Sequence, residues 1–357
     1  MICIGRVLTD QGPSVVFITD DHVFDVSSVC PTISHWLSGL VSIDEMSNCR
    51  ERPLGQPDLM TWLSPFDLQP IKACGVTFIT SLLERLVEEL AHGDSENVEA
   101  IRGTLDATIF DQVRDMMPGS PEAMKLREQL LEQNAWSQYL EVGLGKDPEI
   151  FTKAPPMSAL GNHCIAGLLE ESEWNNPEPE IVLAINSAGK VLGATLGNDV
   201  NLRDIEGRSA LLLGRAKDNR GSTVIGPWIR VFDQSCTLQD LARSSLTLEI
   251  EGHDGFSISE SQDLRGLKRG FEALVEALFD QHDYPDGVAL FTGSAFAPTW
   301  DRFSQGSGFT HVDGDHVRIC CPLIGELSHQ VERCPTVDPW RFGLLELIGN
   351  LSARKLI

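Results

Sequence analysis

The sequence predicts an α+β fold with a mixed β-roll core, a helical insertion and a small β-rich N-terminal domain. Three observations support this prediction. Short apolar segments bounded by turn residues recur through most of the chain and are typical of strands. Helical periodicity is concentrated in one stretch, about residues 82 to 140. Because strands and helices do not alternate regularly, a doubly wound parallel sheet is disfavoured.

The composition allows a large core and disfavours some partners. The chain has 357 residues, 42% of them hydrophobic, enough for one large domain or two unequal ones. Its formal net charge of -24, with only eight lysines among 28 basic residues, disfavours nucleic acids and anionic membranes as partners. No apolar run suits a signal peptide or a membrane span. We therefore expect a cytoplasmic protein whose nine cysteines are reduced thiols.

The N-terminal segment, residues 1–65, is predicted to be the small β-rich domain. Its strand signals fall at residues 2–8, 14–18 and 22–26, with a polar turn after the first of them. A proline-containing loop follows, and the main domain is predicted to cover residues 66–357. We expect the first domain to provide scaffold or subunit contacts rather than chemistry.

The helical insertion shows apolar residues at helical spacing in three groups. Ser120 and Pro121 are placed as the N-cap and first residue of its last part. The groups comprise Leu82, Leu83, Leu86, Val87 and Leu90, then Ile101, Leu105 and Ile109, then Ala123, Leu126, Leu130 and Leu131.

Two glutamates separated by one residue precede a strong hairpin signal. Residues two apart in a strand point to the same face, so Glu178 and Glu180 can direct both carboxylates to one point. Asp199 ends the next apolar segment, after a turn at Gly189, and can return to the same place. With no basic residue between them, three converging carboxylates would repel one another unless a hard divalent cation bound them. We predict Mg²⁺ as that ion, with Mn²⁺ as the alternative; the competing interpretation is a solvated strand edge.

The motifs around these acids resemble the fumarylacetoacetate hydrolase superfamily, whose members bind a divalent metal through two glutamates and an aspartate. The matching residues are Glu178-x-Glu180, Gly197-Asn-Asp-x-x-x-Arg-Asp204, Lys217 and Gly226-Pro-Trp228. Segments 136–142, 172–180, 196–209, 216–219 and 284–291 are similar to one branch, the dehydratases of 2-keto-3-deoxy-pentonates. The resemblance implies the fumarylacetoacetate hydrolase type of β-roll and a homodimer or homotetramer.

The sequence departs from the superfamily in its water-activating dyad. Many members carry a histidine and a glutamate in a motif that here aligns with Gly75, Thr77, Phe78 and Glu84, but Ser81 occupies the histidine position. Without an imidazole, activation of water is harder to explain than abstraction of a carbon-bound proton by one tuned base. Glu84 is the predicted base, with a metal-bound hydroxide and a plain surface role for this acid as the alternatives.

The resemblance also implies roles for residues near the predicted metal ligands. Lys217, a compact point charge, is expected to stabilise a developing enolate oxyanion. Glu206 is expected to serve as a second acid or base. The segment 151–158 is expected to be a loop that borders the site. Candidate contacts to the substrate are Lys153, Ser158, Arg203, Thr292 and Ser294.

These residues together predict a hydro-lyase acting on a small 2-keto acid. The favoured reaction is the metal-dependent dehydration of 2-keto-3-deoxy-D-xylonate to 2,5-dioxopentanoate, although the residues do not distinguish it from the L-arabinonate epimer at C4. An acylpyruvate hydrolase and an oxaloacetate decarboxylase of the same superfamily are the enzymatic alternatives. A non-catalytic, metal-stabilised binding protein is the alternative from another class.

Overall fold

The computed structural model describes residues 1–19, 22–49, 52–92, 113, 116–133, 136–303 and 308–357. The strands in these residues are β1 Cys3–Thr9, β2 Gly12–Thr19, β3 His22–Asp25, β4 Pro53–Gly55, β5 Trp62–Leu63, β6 Ile71–Gly75, β7 Glu149–Ala154, β8 Ile165–Leu168, β9 Asn175–Asn176, β10 Pro179–Ile185, β11 Val191–Asp199, β12 Asn201–Leu202, β13 Thr223–Val231, β14 Ser245–Glu251, β15 Ser257–Asp263, β16 Val288–Phe291, β17 His316–Cys321 and β18 Gly325–Arg333. The α-helices are α1 Ile33–Leu37, α2 Ile43–Asn48, α3 Ile79–Leu90, α4 Pro121–Glu132, α5 Gln138–Leu144, α6 Arg203–Glu206, α7 Leu213–Lys217, α8 Leu238–Leu241, α9 Phe271–Phe279 and α10 Leu344–Ala353.

Eleven strands form one mixed sheet, in the order β4-β3-β2-β1-β13-β11-β10-β16-β6-β7, with β5 paired to β1. Within it β16 and β6 run parallel, whereas β10 is antiparallel to both of its neighbours. The N-terminal strands continue this sheet, because β1 pairs with β13 through Cys3 opposite Arg230. The predicted division of the chain at residue 65 stays a prediction.

A second sheet of five strands, in the order β15-β14-β17-β18-β8, packs against the first. The core between them contains Ile181 and Leu183 of β10 together with Leu248 and Ile319 of the second sheet. The intervening residues of β10 face a separate core with the N-terminal strands, as Val182 does. Strand β10 is therefore buried on both faces and is a rigid support for residues at its end.

The predicted hairpin between β10 and β11 is confirmed. Gly189 adopts φ +77° in the turn, and the side-chain oxygen of Asn186 accepts hydrogen bonds from the backbone N–H groups of Ala188 and Lys190, at 3.0 and 2.8 Å. Such a turn requires a residue that tolerates positive φ, and glycine does so without a steric cost. At the open end of the hairpin, the N–H of Asp199 donates to the carbonyl of Glu178 at 3.1 Å.

Helices α3, α4 and α5 form a separate apolar cluster, with Leu82, Leu126 and Leu140 in its interior. The predicted helix start is confirmed, since Ser120 caps α4 by accepting from the N–H of Ala123 and Pro121 is its first residue. The predicted apolar group of Ile101, Leu105 and Ile109 lies outside the described residues.

One local prediction is wrong. The first half of the segment 151–158 is not a loop but belongs to β7, which pairs antiparallel with β6 from Gly75 opposite Glu149 to Ile71 opposite Ala154. Pairing with a buried strand explains the difference, because the backbone hydrogen-bonding groups of β6 need partners on this side. The mixed sheets with separate helices confirm the predicted α+β class. No helix of the described residues is long and apolar enough to cross a lipid bilayer.

Candidate active site

A small polar cavity lies at the open end of the β10–β11 hairpin. Its volume is about 10 Å³, roughly the space of one water molecule. The lining comes from strands of the first sheet, from residues next to their ends and from three helices. It comprises Cys74, Gly75, Val76, Ser81, Arg85, Glu149, Phe151, Glu178, Glu180, Asp199, Glu206, Lys217 and Ser294.

The three acids predicted as metal ligands meet in this cavity. Glu178 precedes β10, Glu180 is the second residue of that strand, and Asp199 ends β11. Each offers a carboxylate oxygen within 4.8 Å of the others, and all three residues are buried. The arrangement follows from the two-residue side-chain period of β10 and the register of the hairpin, as the sequence predicted.

The premise that no basic residue separates these acids is wrong. The ammonium of Lys217 lies 2.5 Å from Glu178 Oε2 and 3.2 Å from Asp199 Oδ2. The guanidinium of Arg85 donates to Glu178 Oε1. The sequence did not reveal these neighbours, because Arg85 of α3 and Lys217 of α7 are distant from β10 along the chain and reach the cavity only in the folded protein. The cluster is therefore partly neutralised by the chain itself.

The two glutamates differ in their electrostatic surroundings. Burial opposes ionisation of Glu178, but the charges of Lys217 and Arg85 outweigh it and hold the pKa of Glu178 below its usual value. Burial, with the nearby Asp199 and Glu178 carboxylates, raises the pKa of Glu180 well above its usual value. Its Oε2 accepts one hydrogen bond, at 2.7 Å, from the backbone N–H of Gly293. In the metal-free protein ionisation is therefore favoured at Glu178 and disfavoured at Glu180.

Two charged residues of the cavity were not identified from the sequence. Arg85 donates to Glu178, and its Nη1 atom also lies 2.7 Å from Glu206 Oε2. Glu149 begins β7, and its burial together with the nearby Glu206 carboxylate raises its pKa to about 7. Helical spacing could have found Arg85, since it lies one turn after Ser81, the residue aligned with the family's histidine. No motif marks Glu149.

Of the predicted catalytic residues, Lys217 and Glu206 line the cavity and Glu84 does not. The carboxylate of Glu84 lies 4.0 Å from the guanidinium of Arg203, with 19% of its side chain exposed. Arg203 itself is buried, donates to Asn176 Oδ1 at 2.7 Å and does not line the cavity. The two residues therefore form an ion pair outside the cavity lining.

The predicted substrate contacts on and after β7 occupy different places. Lys153 is fully buried, donates to the backbone carbonyls of Lys217 and Ser222, and lies 3.0 Å from Asp199 Oδ1. Its ammonium thus supports a predicted metal ligand and the helix end that carries Lys217. Ser158 lines a separate groove of about 490 Å³ and donates to the carbonyl of Pro155 at 2.8 Å.

The segment after β16 reaches the cavity through its backbone. Thr292 is buried and donates its hydroxyl to the carbonyl of Ile181 at 3.1 Å, whereas Ser294 lines the cavity and donates to the carbonyl of Phe296 at 2.8 Å. Between them Gly293 adopts φ +97°, and a Cβ there would overlap Oγ1 of Thr77. Only glycine fits this position, which directs its N–H at Glu180.

A buried histidine also supports the end of the hairpin. His329 of β18 bonds through Nε2 to the side-chain amide of Asn198 at 2.9 Å, and Asn198 Oδ1 accepts from the N–H of Glu178 at 2.9 Å. Burial lowers the pKa of His329 to about 4, so its ring is neutral at pH 7. The contact ties the second sheet to the strand end that carries the acids.

Comparison with protein-family models finds a match to one part of the chain. Residues 182–332 match the family model described as the C-terminal domain of fumarylacetoacetate (FAA) hydrolase. The predicted resemblance to that superfamily is confirmed over these residues, which are less than half of the chain.

Two curated relatives carry more specific names. The chain is 31% identical over 186 residues to the 2-dehydro-3-deoxy-D-arabinonate dehydratase of Saccharolobus solfataricus, covering 52% of this chain and 59% of that protein. It is 28% identical over 200 residues to the probable 2-keto-3-deoxyxylonate dehydratase of Haloferax volcanii, covering 56% of this chain and 65% of that protein. The matches thus span about three fifths of the length of these relatives.

Solved structures share the fold over nearly the whole chain. A 2-keto-3-deoxy-D-arabinonate dehydratase complexed with magnesium and 2,5-dioxopentanoate superposes with a TM-score of 0.62 at 22% identity, covering 93% of this chain and 99% of that one. A 5-carboxymethyl-2-hydroxymuconate delta-isomerase from Mycobacterium smegmatis gives a TM-score of 0.58 at 19% identity, covering 93% and 99%. The architecture is therefore common to enzymes with different names.

Proposed function

We propose that this chain is a metal-dependent hydro-lyase that converts a 2-keto-3-deoxy-pentonate to 2,5-dioxopentanoate, with 2-keto-3-deoxy-D-xylonate as the favoured substrate. The observation that carries the proposal is the buried cluster of Glu178, Glu180 and Asp199 beside Lys217. The names of both curated relatives support the substrate class. The complex of a structural neighbour with magnesium and 2,5-dioxopentanoate supports the ion and the product.

The residues at the cavity suit a hard divalent cation. Glu178, Glu180 and Asp199 would hold it, because carboxylate oxygens are the ligands that Mg²⁺ prefers. The site also contains more acidic than basic side chains. Five carboxyl groups, including those of Glu149 and Glu206, lie near the cations of Arg85, Lys153 and Lys217.

The overall reaction removes a proton from C3 and the hydroxyl from C4, which takes up a proton and leaves as water. A proton then moves from C5 to C3, and the resulting C4–C5 enol tautomerises to the C5 aldehyde. A bound divalent ion would supply the Lewis acidity that makes the C3 protons of a 2-keto acid removable. Lys217 holds an ammonium at the cavity whose pKa, despite burial, is raised by Asp199 and Glu178. It remains cationic and would stabilise negative charge that develops on the C2 oxygen.

Proton transfer is assigned to the two acids that line the cavity besides the metal ligands. The carboxyl of Glu149, with a pKa of about 7, can hold a proton at neutral pH and give it to the departing C4 hydroxyl. Glu206 is the better placed base for the C3 proton, since it lines the cavity and Glu84 does not. Glu84 keeps a role only if the wall formed by α3 changes position when substrate binds.

The test is a substrate panel with the purified full chain. Metal-stripped protein receives Mg²⁺ or Mn²⁺ and then either C4 enantiomer of 2-keto-3-deoxy-pentonate, and aldehyde formation is followed. We expect aldehyde from at least one enantiomer, dependence on the ion, and faster turnover of 2-keto-3-deoxy-D-xylonate. If neither enantiomer gives aldehyde when metal is shown to be bound, the chain is not this dehydratase.

Two controls sharpen this test. Acylpyruvate serves as the alternative substrate, because a hydrolase of the same superfamily would release an acid from it and form no semialdehyde. Lys217→Met should abolish turnover, whereas Lys190→Met, a lysine removed from the exposed turn of the same hairpin, should leave it unchanged.

A further inference from the structure

Both carboxylate oxygens of Glu178 are already occupied by cations of the chain. Lys217 lies 2.5 Å from Oε2, and Arg85 donates to Oε1. An ion that binds Glu178 must therefore displace or weaken one of two charge-assisted hydrogen bonds. The cavity of about 10 Å³ leaves no room for a five-carbon acid beside them.

Arg85 connects three elements through this contact. It projects from α3, donates to Glu178 next to β10, and pairs with Glu206 of α6 at 2.7 Å. Its side chain is 8% exposed, so these pairs are shielded from solvent. In the described part of α3, only Ser81 and Arg85 line the cavity. Arg85 is thus the charged link between the helical cluster and the predicted metal ligands.

We propose that Arg85 is a positioning residue that competes with the divalent ion for Glu178, so that occupancy of the ion is coupled to the attachment of helix α3. The inference rests on the proposed function in one respect, namely that a divalent ion binds the acidic cluster. When the ion binds Glu178, Arg85 keeps its pair with Glu206 and α3 loses its direct tie to β10.

Lys217 and Arg85 differ in the contacts that each would keep if an ion displaced it from Glu178. Lys217 also lies 3.2 Å from Asp199 and belongs to α7, next to the backbone that Lys153 holds. Arg85 belongs to a helix that packs mainly against α5, in a separate apolar cluster. Displacement of Arg85 therefore disturbs a different part of the molecule from displacement of Lys217. Thermodynamic linkage makes the effect reciprocal. If a bound ion weakens the contact between Arg85 and Glu178, loss of the Arg85 side chain must strengthen ion binding by the same free energy.

Isothermal titration of metal-stripped protein with Mg²⁺ measures the competition directly. We expect Arg85→Gln to bind Mg²⁺ about tenfold more tightly than the parent, within the usual range for coupled sites. Arg85→Lys, which keeps the charge but has no forked donor group, should fall between the two. Weaker binding by Arg85→Gln would mean that the guanidinium orients Glu178 for the ion, and would overturn the proposal.

A variant with the same formal charge as the parent separates direct competition for Glu178 from the effect of the cavity's net charge on ion binding. Arg85→Gln combined with Glu206→Gln removes one positive and one negative charge, so the formal charge of the cavity equals that of the parent. Tighter binding than the parent by this double variant supports direct competition. Parental affinity would show that only net charge matters and would overturn the proposal.

Hydrogen exchange reports the coupling to the helix. Mg²⁺ should increase amide exchange in peptides covering residues 79–90 of the parent, while peptides of the β14–β15 hairpin stay unchanged as an internal reference. In Arg85→Gln, the α3 peptides should exchange faster without metal and no longer respond to it. A parent that binds no Mg²⁺ defeats both this inference and the proposed function. A parent that binds Mg²⁺ with an affinity equal to that of Arg85→Gln defeats this inference alone.

Discussion

Glu178 and Glu180 lie two residues apart on one strand end but in opposite electrostatic environments. Glu178 is paired with Lys217 and Arg85, whereas the described contact of Glu180 is one backbone N–H from Gly293. A buried charge is tolerated where it is paired, and a buried carboxyl without a cation tends to keep its proton. In the metal-free protein Glu178 thus acts as the counter-ion of two buried cations, whereas Glu180 remains available as a metal ligand.

Substitution of each glutamate by glutamine should therefore have different effects on stability. Glu178→Gln leaves two buried cations without their shared carboxylate, and removal of one partner from a buried pair typically costs about 3 kcal/mol or more. Glu180→Gln replaces a carboxyl whose raised pKa disfavours its charge in the metal-free state, and should cost less than about 1 kcal/mol. Urea unfolding in the presence of chelator measures both. Both variants should lose Mg²⁺ binding, and equal destabilisation by the two would contradict this difference.

Glu149 provides a pH-dependent prediction. Its folded pKa of about 7 lies above the usual value of 4.5, because burial and Glu206 disfavour its charge more than Arg85 and Lys217 favour it. Between these two values the folded state binds more protons than the unfolded state, so this residue makes stability fall as pH rises from about 4.5 to 7. The loss amounts to at most about 3 kcal/mol.

Glu149→Gln should remove that loss. The variant should be close to the parent in stability near pH 5 and more stable than it near pH 8, as measured by denaturant unfolding across this range. Turnover should nevertheless fall if Glu149 donates the proton to the departing hydroxyl. A stability difference that is independent of pH would show that this carboxyl is ionised throughout the range.

Only some of the residues that line the cavity could be predicted from the sequence. Glu178, Glu180 and Asp199 were predictable because strand period and hairpin register place them together, and the structure does bring them together. Arg85 and Glu149 were not identified, because their proximity depends on the packing of α3 and β7 against β10, which no local pattern specifies. The cations of the cavity could be predicted only in part for the same reason.

At the scale of elements, the turn after β16 fixes one wall of the site. Gly293 combines φ +97° with a backbone so close to Thr77 that a Cβ would overlap Oγ1, whereas Gly255 in the β14–β15 turn has φ +86° and open space around it. Gly293→Ala should therefore cost about 3 kcal/mol or more, from both strain and overlap. Gly255→Ala, the matched control, should cost about 1 kcal/mol from backbone strain alone.

Metal binding tests whether the position of this turn matters beyond stability. A shift of Gly293 moves the N–H that holds Glu180, so Gly293→Ala should also weaken Mg²⁺ binding, and Gly255→Ala should not. Thermal unfolding and Mg²⁺ titration of both variants decide the matter. Equal losses of stability in the two variants would show that overlap with Thr77 is relieved at no cost.

Strand pairs whose members are neighbours in sequence were predictable, whereas pairs whose members are far apart in sequence were less so. The β10–β11 and β14–β15 hairpins follow from glycine turns between alternating apolar segments. The parallel pairs β16–β6 and β18–β8 join segments far apart in sequence, and no local signal selects such partners. The same limit explains the wrong prediction for β7, whose partner β6 lies more than seventy residues away along the chain.

At the scale of the molecule, the charge of -24 should make stability depend on ionic strength. Carboxylates in excess of cations repel one another across the surface, and salt screens this repulsion over about 10 Å at 0.1 M. We expect the melting temperature at pH 7, measured with chelator present, to rise between about 10 mM and about 200 mM NaCl. The rise should shrink at pH 5.5, because part of the carboxylates then carry protons and the net charge approaches zero near the sequence pI of 4.6.

Mg²⁺ separates binding at the buried cluster from screening of the surface. At equal ionic strength it should raise the melting temperature of the parent more than that of Glu180→Gln, because only the parent keeps all three carboxylates for the ion. NaCl should raise both melting temperatures equally, since the substitution leaves the surface charge unchanged. An equal response of the two proteins to Mg²⁺ would assign the whole ionic effect to the surface and none to the buried cluster.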